Sequence, residues 1–557
     1  MLLARKIIQT DNPGAFARME PHDSYYLGSD VFYTYIVHNK FWRLHIHQKT
    51  KQGYFKLAPE LERAFLQGSF PEAIRLQFIR MLEYFGQRPI IVRSSSLQED
   101  AFGNAFAGKY ESVFCINTGT MDERLNELEN AVRTVYASTM NPSALEYRRQ
   151  RGLGFKDEQM ALLIQRVSGS MYEDFLMPNA AGVGYSYSAY KWDNSINASD
   201  GMLRLVMGLG TRAVDRTEGD YPRIVNLSAP DRSTLTASWA KHQYSQRYVD
   251  LMDYTTKSLS SRPLMAVTPH MDNWYKKLVL EHDYDAERTF RERGQHREIL
   301  FASCEGLVRN KEFTDCMKSL LHTLQNAYQY PVDIEFTING NDDGEFVFNL
   351  LQCRPLQVGT RRDAVVVPSL PDEKTVFSVT DASMGGSRAE DIDYVILIDA
   401  KAYYEFPYKR KPDIAHIIGD INHHFRKSKK NLLLFAPGRI GTSSPELGVP
   451  VSFAQINHFC AICEMSDSEA GYMPELSYGS HMFQDLVEAE IFYTALFDNQ
   501  KTRLFHKDIF HDMSNILTEI LPDCKDYEDI VKVYHTGDMH LKLYSDIQNE
   551  KTILGFE

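Results

Sequence analysis

Apolar positions along the chain follow two different periods. Ile74, Phe78, Met81, Leu82 and Phe85 recur at helical spacing, and MDERLNELENAVRTVYASTM (121–140) and FTDCMKSLLHTLQNAY (313–328) repeat that pattern, so each predicts an amphipathic helix. Shorter apolar runs predict strands: Pro89–Val92, QMALLIQRVSG (159–169), AAGVGYSYSAY (180–190), GMLRLVMGLG (201–210) and Leu432–Phe435. The glycines among them, Gly182, Gly184, Gly208 and Gly210, are read as turn formers. Arg93 and Ser94–Ser96 are expected just past the carboxyl end of the first run, where open α/β sheets place ligands.

Strict alternation marks one segment for chemistry. Val332, Ile334, Phe336 and Ile338 alternate with Asp333, Glu335, Thr337 and Asn339, and a strand's pleat sets both carboxylates on one face. NGNDDG makes a turn, and EFVFNLLQCRP returns Asn349, Gln352 and Arg354 alongside. The doubled Leu350-Leu351 leaves the facing parity open and is compatible with a bulge. Two carboxylates with an amide oxygen suit a hard divalent cation, but a sheet with one solvated polar face has the same alternation.

Composition narrows the class. With 557 residues the chain exceeds a single core, and 43% hydrophobic with 24% charged residues describes an ordinary globular protein. Its 61 basic and 74 acidic residues, net charge -13, argue against nucleic acid or an anionic membrane as partner. Seven scattered cysteines fit reduced thiols and a cytoplasmic setting rather than a disulfide framework. Cys460 and Cys463 form a lone CxxC, read as a buried pair on a helix, with half a metal or redox site as the alternative. No run reaches the roughly 20 apolar residues of a membrane span.

The stretch RPIIVRSSSLQEDAFGNAFAGKYESVF (88–114) ends a buried run with an arginine and three serines, then continues through small residues to Gly108-Lys109. IIVRSSSLQEDAFGNAFAGKYESVF resembles the nucleotide-binding signature of the phosphoenolpyruvate synthase and pyruvate phosphate dikinase family. LLIQRVSG is similar to that family's adenine-lining strand, and AAGVGYSYSAY, VMGLGTRAVDRTEGDYPR and VDIEFTINGNDDGEFVFNLLQCRPL resemble its next three elements in the same order. The resemblance implies an α+β, two-lobed ATP-grasp module followed by a smaller α/β C-terminal domain. In that reading residues 1–235 form one lobe, 236–358 a second lobe with the hairpin, 359–372 a linker and 373–557 the C-terminal domain.

The same resemblance implies ATP and Mg2+ as cofactors. Arg93 would contact the phosphates, Gly103 to Gly108 would form the loop over them, and Gln165 and Val167 would sit at the adenine. Asp333, Glu335 and Gln352 would hold Mg2+, with Arg354 beside the phosphates. Arginine is a fixed cationic fork for phosphate oxygens, and small residues admit backbone N–H groups to an anion. Ser94 is read as a nucleotide contact or as an ordinary turn serine, and Lys109 as a phosphate contact or a solvated side chain. Two departures stand out: no Gly-Gly-Lys element precedes MLLARKIIQT, and Thr211 replaces the glutamate that follows Gly-Leu-Gly. The phosphohistidine motif and pyruvate-binding barrel of the full-length enzymes have no counterpart either.

The C-terminal region carries two candidates of its own. APGRIGTSS (436–444) leaves a buried strand as a glycine-containing loop in which Arg439 and the backbone donors near Gly441 and Thr442 are suited to an anion, or simply to a structural turn. His481, one helical turn before Asp485, reads as a phosphoryl acceptor or as a capped helix with a His–Asp pair. The expected function is an ATP-dependent phosphotransferase acting on a small-molecule or protein acceptor, in which Arg93, Arg354 and His481 are catalytic. The alternatives are a nucleotide-sensing module without turnover and a fragment of a longer dikinase-like chain; homo-oligomerisation is left open.

Overall fold

Helical spacing is realised where it is strongest. In the computed structural model Ile74, Phe78, Met81, Leu82 and Phe85 are the buried face of the helix Glu72–Phe85, and the helices Met121–Ser138 and Lys311–Tyr328 occupy the other two periodic segments. Thr120 opens the first of these with a capping box: its hydroxyl accepts from the Glu123 N–H, and the Glu123 carboxylate accepts from the Thr120 N–H. The structure describes the chain apart from residues 1, 22, 99–109, 151, 188–195, 215–219, 233–240, 243–244, 357–364, 381–382, 385–386, 429, 443–444, 467–485, 487–488, 490, 497–501 and 547–550. Among the described residues no helix is long and apolar enough to cross a membrane.

Two compact bodies divide the chain: Met1–Ser188 with Ser199–Gln357, and Ala189–Ala198 with Val358–Glu557. In the first body Lys311–Tyr328 packs into one core with Val332, Ile334 and Phe336, whereas the helices Glu72–Phe85 and Met121–Ser138 pack a separate, aromatic core containing Phe32, Tyr35, Phe65, Phe78 and Tyr136. Beside it a four-stranded antiparallel sheet runs in the order Ser24–Leu27, Met160–Arg166, Ile90–Ser96, Ser112–Cys115. Here the expectation for Arg93 is corrected. The strand does not stop at Val92 but continues to Ser96, because pairing with Met160–Arg166 supplies hydrogen-bond partners after the apolar run has ended. Arg93 therefore lies within an antiparallel strand, not at the mouth of a parallel one.

A five-stranded sheet follows, in the order Phe346–Pro355, Val332–Gly340, Ala180–Tyr185, Met202–Met207, Arg223–Asn226. Since the hairpin pairs directly with Ala180–Tyr185, the lobe division expected at 235–236 does not coincide with a sheet boundary. Gly182 and Gly184 sit inside a strand rather than in turns. A Cβ on Gly182 would lie 2.4 Å from the Arg204 carbonyl oxygen and 2.9 Å from the Phe336 ring, so close packing excludes any larger residue there. Gly208 does form a turn, with φ +79°.

His45 is buried in the aromatic core at 2% exposure, edge-on to Phe32, and neither ring nitrogen has a hydrogen-bond partner among the described residues. Burial first, then the nearby Lys49 and Arg148, lowers its pKa from 6.5 to about 4. Between those values the unfolded chain binds a proton that the folded chain excludes, so stability present above pH 6.5 falls as the pH drops toward 4. The expected loss is about 3 kcal/mol over that window. Urea midpoints at pH 7 and pH 4.5 check this: His45→Gln should flatten the dependence, and an equal slope in both proteins would remove His45 as its source.

In the second body four parallel strands, Tyr394–Ile398, Leu432–Pro437, Ala461–Met465 and Phe492–Leu496, lie side by side in chain order, flanked antiparallel by Val531–His535 and Ser383–Met384. The helix Lys411–Phe425 connects the first two. A five-stranded antiparallel sheet, Arg388–Asp391, Leu541–Asp546, Lys551–Phe556, Thr375–Thr380, Thr502–Phe505, shares their core. The helical reading of the CxxC is corrected here: Cys463 is inside the fully buried strand Ala461–Met465 and Cys460 immediately precedes it. A five-residue run buried on both faces carries no period that separates strand from helix. Burial pushes the Cys460 thiol up to about 12, so it is inert as a nucleophile.

In the loop that follows Pro437, read as an anion site or a structural turn, several backbone donors are engaged within the protein. The Arg439 N–H donates to the Leu447 carbonyl, the Gly441 N–H to the Val449 carbonyl, and the Ile440 N–H to the carboxylate of the fully buried Glu464, which also accepts from the Tyr493 hydroxyl. Those three backbone donors are committed to the protein. His481 and Asp485 lie outside the described residues.

Candidate functional site

The hairpin's pairing register decides which side chains meet. Glu335 stands opposite Gln352 and Asp333 opposite Arg354, and the register shifts between Glu335 and Phe336, where Leu350 is next in line. Leu351 is thus the extra residue of a bulge. The bulge returns Leu350 to the core at 0% exposure while keeping Gln352 on the carboxylate face.

Arg93 joins this group from 242 residues away in sequence. Its Nη2 donates to Glu335 Oε2 at 2.7 Å and to Gln352 Oε1 at 2.6 Å. Arg354 Nε lies 2.8 and 2.9 Å from the two oxygens of Asp333. The cluster is a neutral, mostly buried set of two guanidiniums and two carboxylates. Burial alone would raise the Glu335 carboxyl, but the charges of Arg93 and Arg354 and the Arg93 hydrogen bond together hold it below the ordinary glutamate value. Glu335 is therefore ionised at neutral pH.

Because the Glu335 and Gln352 oxygens both approach one cationic nitrogen, they already converge on a point that carries positive charge. A carboxylate and an amide oxygen on such a point form a donor set for a hard divalent cation whose other ligands come from phosphate or water. Asp333 is held differently, with both oxygens turned to Arg354. Among the described residues no group of three or more His, Cys, Asp or Glu side chains is arranged to hold a metal.

The remaining expected contacts separate into three groups. Gln165 is buried beside the hairpin, its Nε2 3.5 Å from the Leu351 carbonyl oxygen. Val167 is buried in an apolar cluster with Ile116, Leu176, Leu209 and Met252, against which Ile91 and Phe114 pack, and its N–H is taken by the Pro89 carbonyl. Ser94 faces away from this group: adjacent strand residues point to opposite faces, and Ser94 follows Arg93 without a register shift. Gly103, Gly108 and Lys109 lie outside the described residues. Thr211 donates instead to Asp250 at 2.6 Å.

Sequence reasoning passed over several side chains of the same face. Arg204, 4% exposed, stands opposite Val183, which stands opposite Glu335. Thr337 and Asn339 continue the Asp333–Glu335 alternation, a signal that was visible but carried no assignment. Glu20 and Ser168 join Asn339 through hydrogen bonds that no local pattern announces.

No curated protein matches the chain. Residues 12–374 match the family described as pyruvate phosphate dikinase, AMP/ATP-binding domain, a span that holds Arg93, the hairpin and every side chain of the cluster. With well over half of the sequence matched, the chain belongs to the pyruvate phosphate dikinase AMP/ATP-binding domain family.

Proposed function

We propose that the chain is an ATP-dependent phosphotransferase of the ATP-grasp type, which binds ATP with Mg2+ and passes a phosphoryl group to a small-molecule or protein acceptor. The observation that carries this reading is the convergence of Arg93 on Glu335 and Gln352 across 242 and 259 residues of sequence, inside a family whose domain binds AMP or ATP. Glu335 and Gln352 would hold the cation, with Asp333 joining them once Arg354 turns to phosphate. When bound, Mg2+ would neutralise charge on the phosphate oxygens. Arg93 and Arg354 orient those oxygens and balance the charge that shifts to the leaving phosphate as its bond to the transferred phosphorus breaks and the acceptor's bond forms. His481 is the candidate acceptor within the chain.

Labelled ATP with and without Mg2+ tests the reading. Conversion to ADP or AMP is expected only with metal, and Glu335→Gln should slow it at least about 100-fold. Acid-labile label on His481 would identify the acceptor. Binding of intact ATP without any turnover would overturn the transferase reading and leave a nucleotide sensor.

A further inference from the structure

The helix Lys411–Phe425 opens against its own dipole. It carries the chain from Tyr394–Ile398 back to the parallel strand Leu432–Pro437, so its first turn lies at the carboxyl edge of the parallel strands, where open α/β sheets bind ligands. The aligned peptide units make that end positive and favour anionic groups there. The sequence supplies the reverse, Lys409-Arg410-Lys411, and no side chain caps the helix. The acidic residue of the first turn, Asp413, is already engaged: it accepts from the Tyr527 hydroxyl at 2.9 Å and lies 3.4 Å from Arg410 Nε. Arg410 is thereby balanced, and Lys409 is exposed to solvent.

Lys411 is neither balanced nor exposed. The residue is 5% exposed, and its ammonium, 4.7 Å from the centre of the Tyr403 ring and 5.2 Å from that of Tyr404, has no hydrogen-bond or ion-pair partner among the described residues. Helical side chains lean toward the N-terminus, so this charge sits at the positive end of the helix. Tyr403 is fixed in place: it is fully buried, and its hydroxyl donates to the Gly448 carbonyl at 2.7 Å and to the Pro445 carbonyl at 3.1 Å. Two aromatic faces hold a cation without supplying a negative charge. Glu446 is the carboxylate whose charge reaches Lys411, but it is exposed and beyond ion-pair distance, and burial outweighs it, so the ammonium is lowered from the ordinary lysine value. The stem is enclosed while the charged end is only partly desolvated, which leaves that end open to a ligand. A cation set this deep is ordinarily paired.

We propose that Lys411 and the positive end of its helix bind a small oxyanion, a phosphate or carboxylate group, in the second body. The ligand supplies the negative charge that Asp413 and Glu446 do not bring to the ammonium. A lysine ammonium is a compact charge with three donors, suited to a single oxyanion group held between the tyrosine faces and the helix end. The site is independent of the nucleotide reading, because Lys411 lies in the other body and outside the matched residues 12–374.

Calorimetric titration of the full chain with sodium phosphate and, separately, with sodium acetate, at an ionic strength held constant with sodium chloride, tests it. The unmodified protein should bind one equivalent of phosphate, acetate or both, and the anion that binds names the group the site takes. Lys411→Met should weaken that equivalent at least about tenfold, whereas Lys409→Met should leave it in place. Glu446→Gln, which removes the nearby like charge without touching Lys411, should tighten it about twofold or more. No binding of either anion by the unmodified protein, or equal binding in Lys411→Met, would overturn the proposal. So would an equal loss in Lys409→Met, which would show only diffuse attraction to a basic surface. Should Lys411→Met fail to fold, Glu446→Gln decides, and an unchanged affinity there overturns it. Loss of the nucleotide reading would leave each of these results unaffected.

Discussion

Arg93→Met is expected to lower metal-dependent ATP turnover about 100- to 1,000-fold, the usual cost of deleting one preorganised donor to developing charge. The side chain is well suited to such a role. It is mostly buried, its Nη2 is held by Glu335 and Gln352, and its charge is permanent. Lysine should rescue little, since a single ammonium cannot reproduce the planar fork that spans two oxygens. Steady-state rates for the unmodified protein, Arg93→Met and Arg93→Lys at saturating Mg2+ check this. Turnover within a few-fold across the three would show that Arg93 is only an ion-pair partner of Glu335.

The largest effect on stability is expected elsewhere in the first body, at Glu158. This carboxylate is 3% exposed and accepts from the Ser96 hydroxyl, the Tyr110 hydroxyl and, at 3.2 Å, Arg148 Nη1. Arg148 is itself only 5% exposed. Truncating one member of a buried ion pair leaves the other charge desolvated and uncompensated, which costs about 3–5 kcal/mol. Glu158→Ala should therefore lower the urea midpoint of this body by that equivalent, whereas Glu158→Gln, which still accepts hydrogen bonds, should lose less. The link to function is direct, because Ser96 ends the strand that carries Arg93. A loss under about 1 kcal/mol for the alanine variant would mean that Arg148 finds another partner.

Sequence periodicity reached the helices and the hairpin because their packing is local. The face of Glu72–Phe85 and the alternation from Val332 to Asn339 each repeat one short rule, and the doubled leucine at 350–351 marked the bulge that the register confirms. Non-local pairing escaped it. Ser94–Ser96 belong to a strand only because Met160–Arg166 lies beside them. The Cys463 strand is too short and too uniformly buried to reveal its period. At the site, the family resemblance singled out Arg93, Glu335, Gln352, Asp333 and Arg354, which the fold brings into one cluster. Local chain patterns could not have joined residues more than 240 positions apart. The Glu20–Ser168–Asn339 contacts and the burial of His45 and Glu158 depend wholly on tertiary placement, and no short sequence pattern encodes them.

A crystal structure of the full chain with Mg2+ and a non-hydrolysable ATP analogue bears most directly on the central claim. The terminal phosphates should lie within hydrogen-bond distance of the Arg93 guanidinium, with the metal bound to Glu335 and Gln352. A nucleotide seated elsewhere, with the Arg93–Glu335–Gln352 contacts intact and no phosphate beside them, would contradict it.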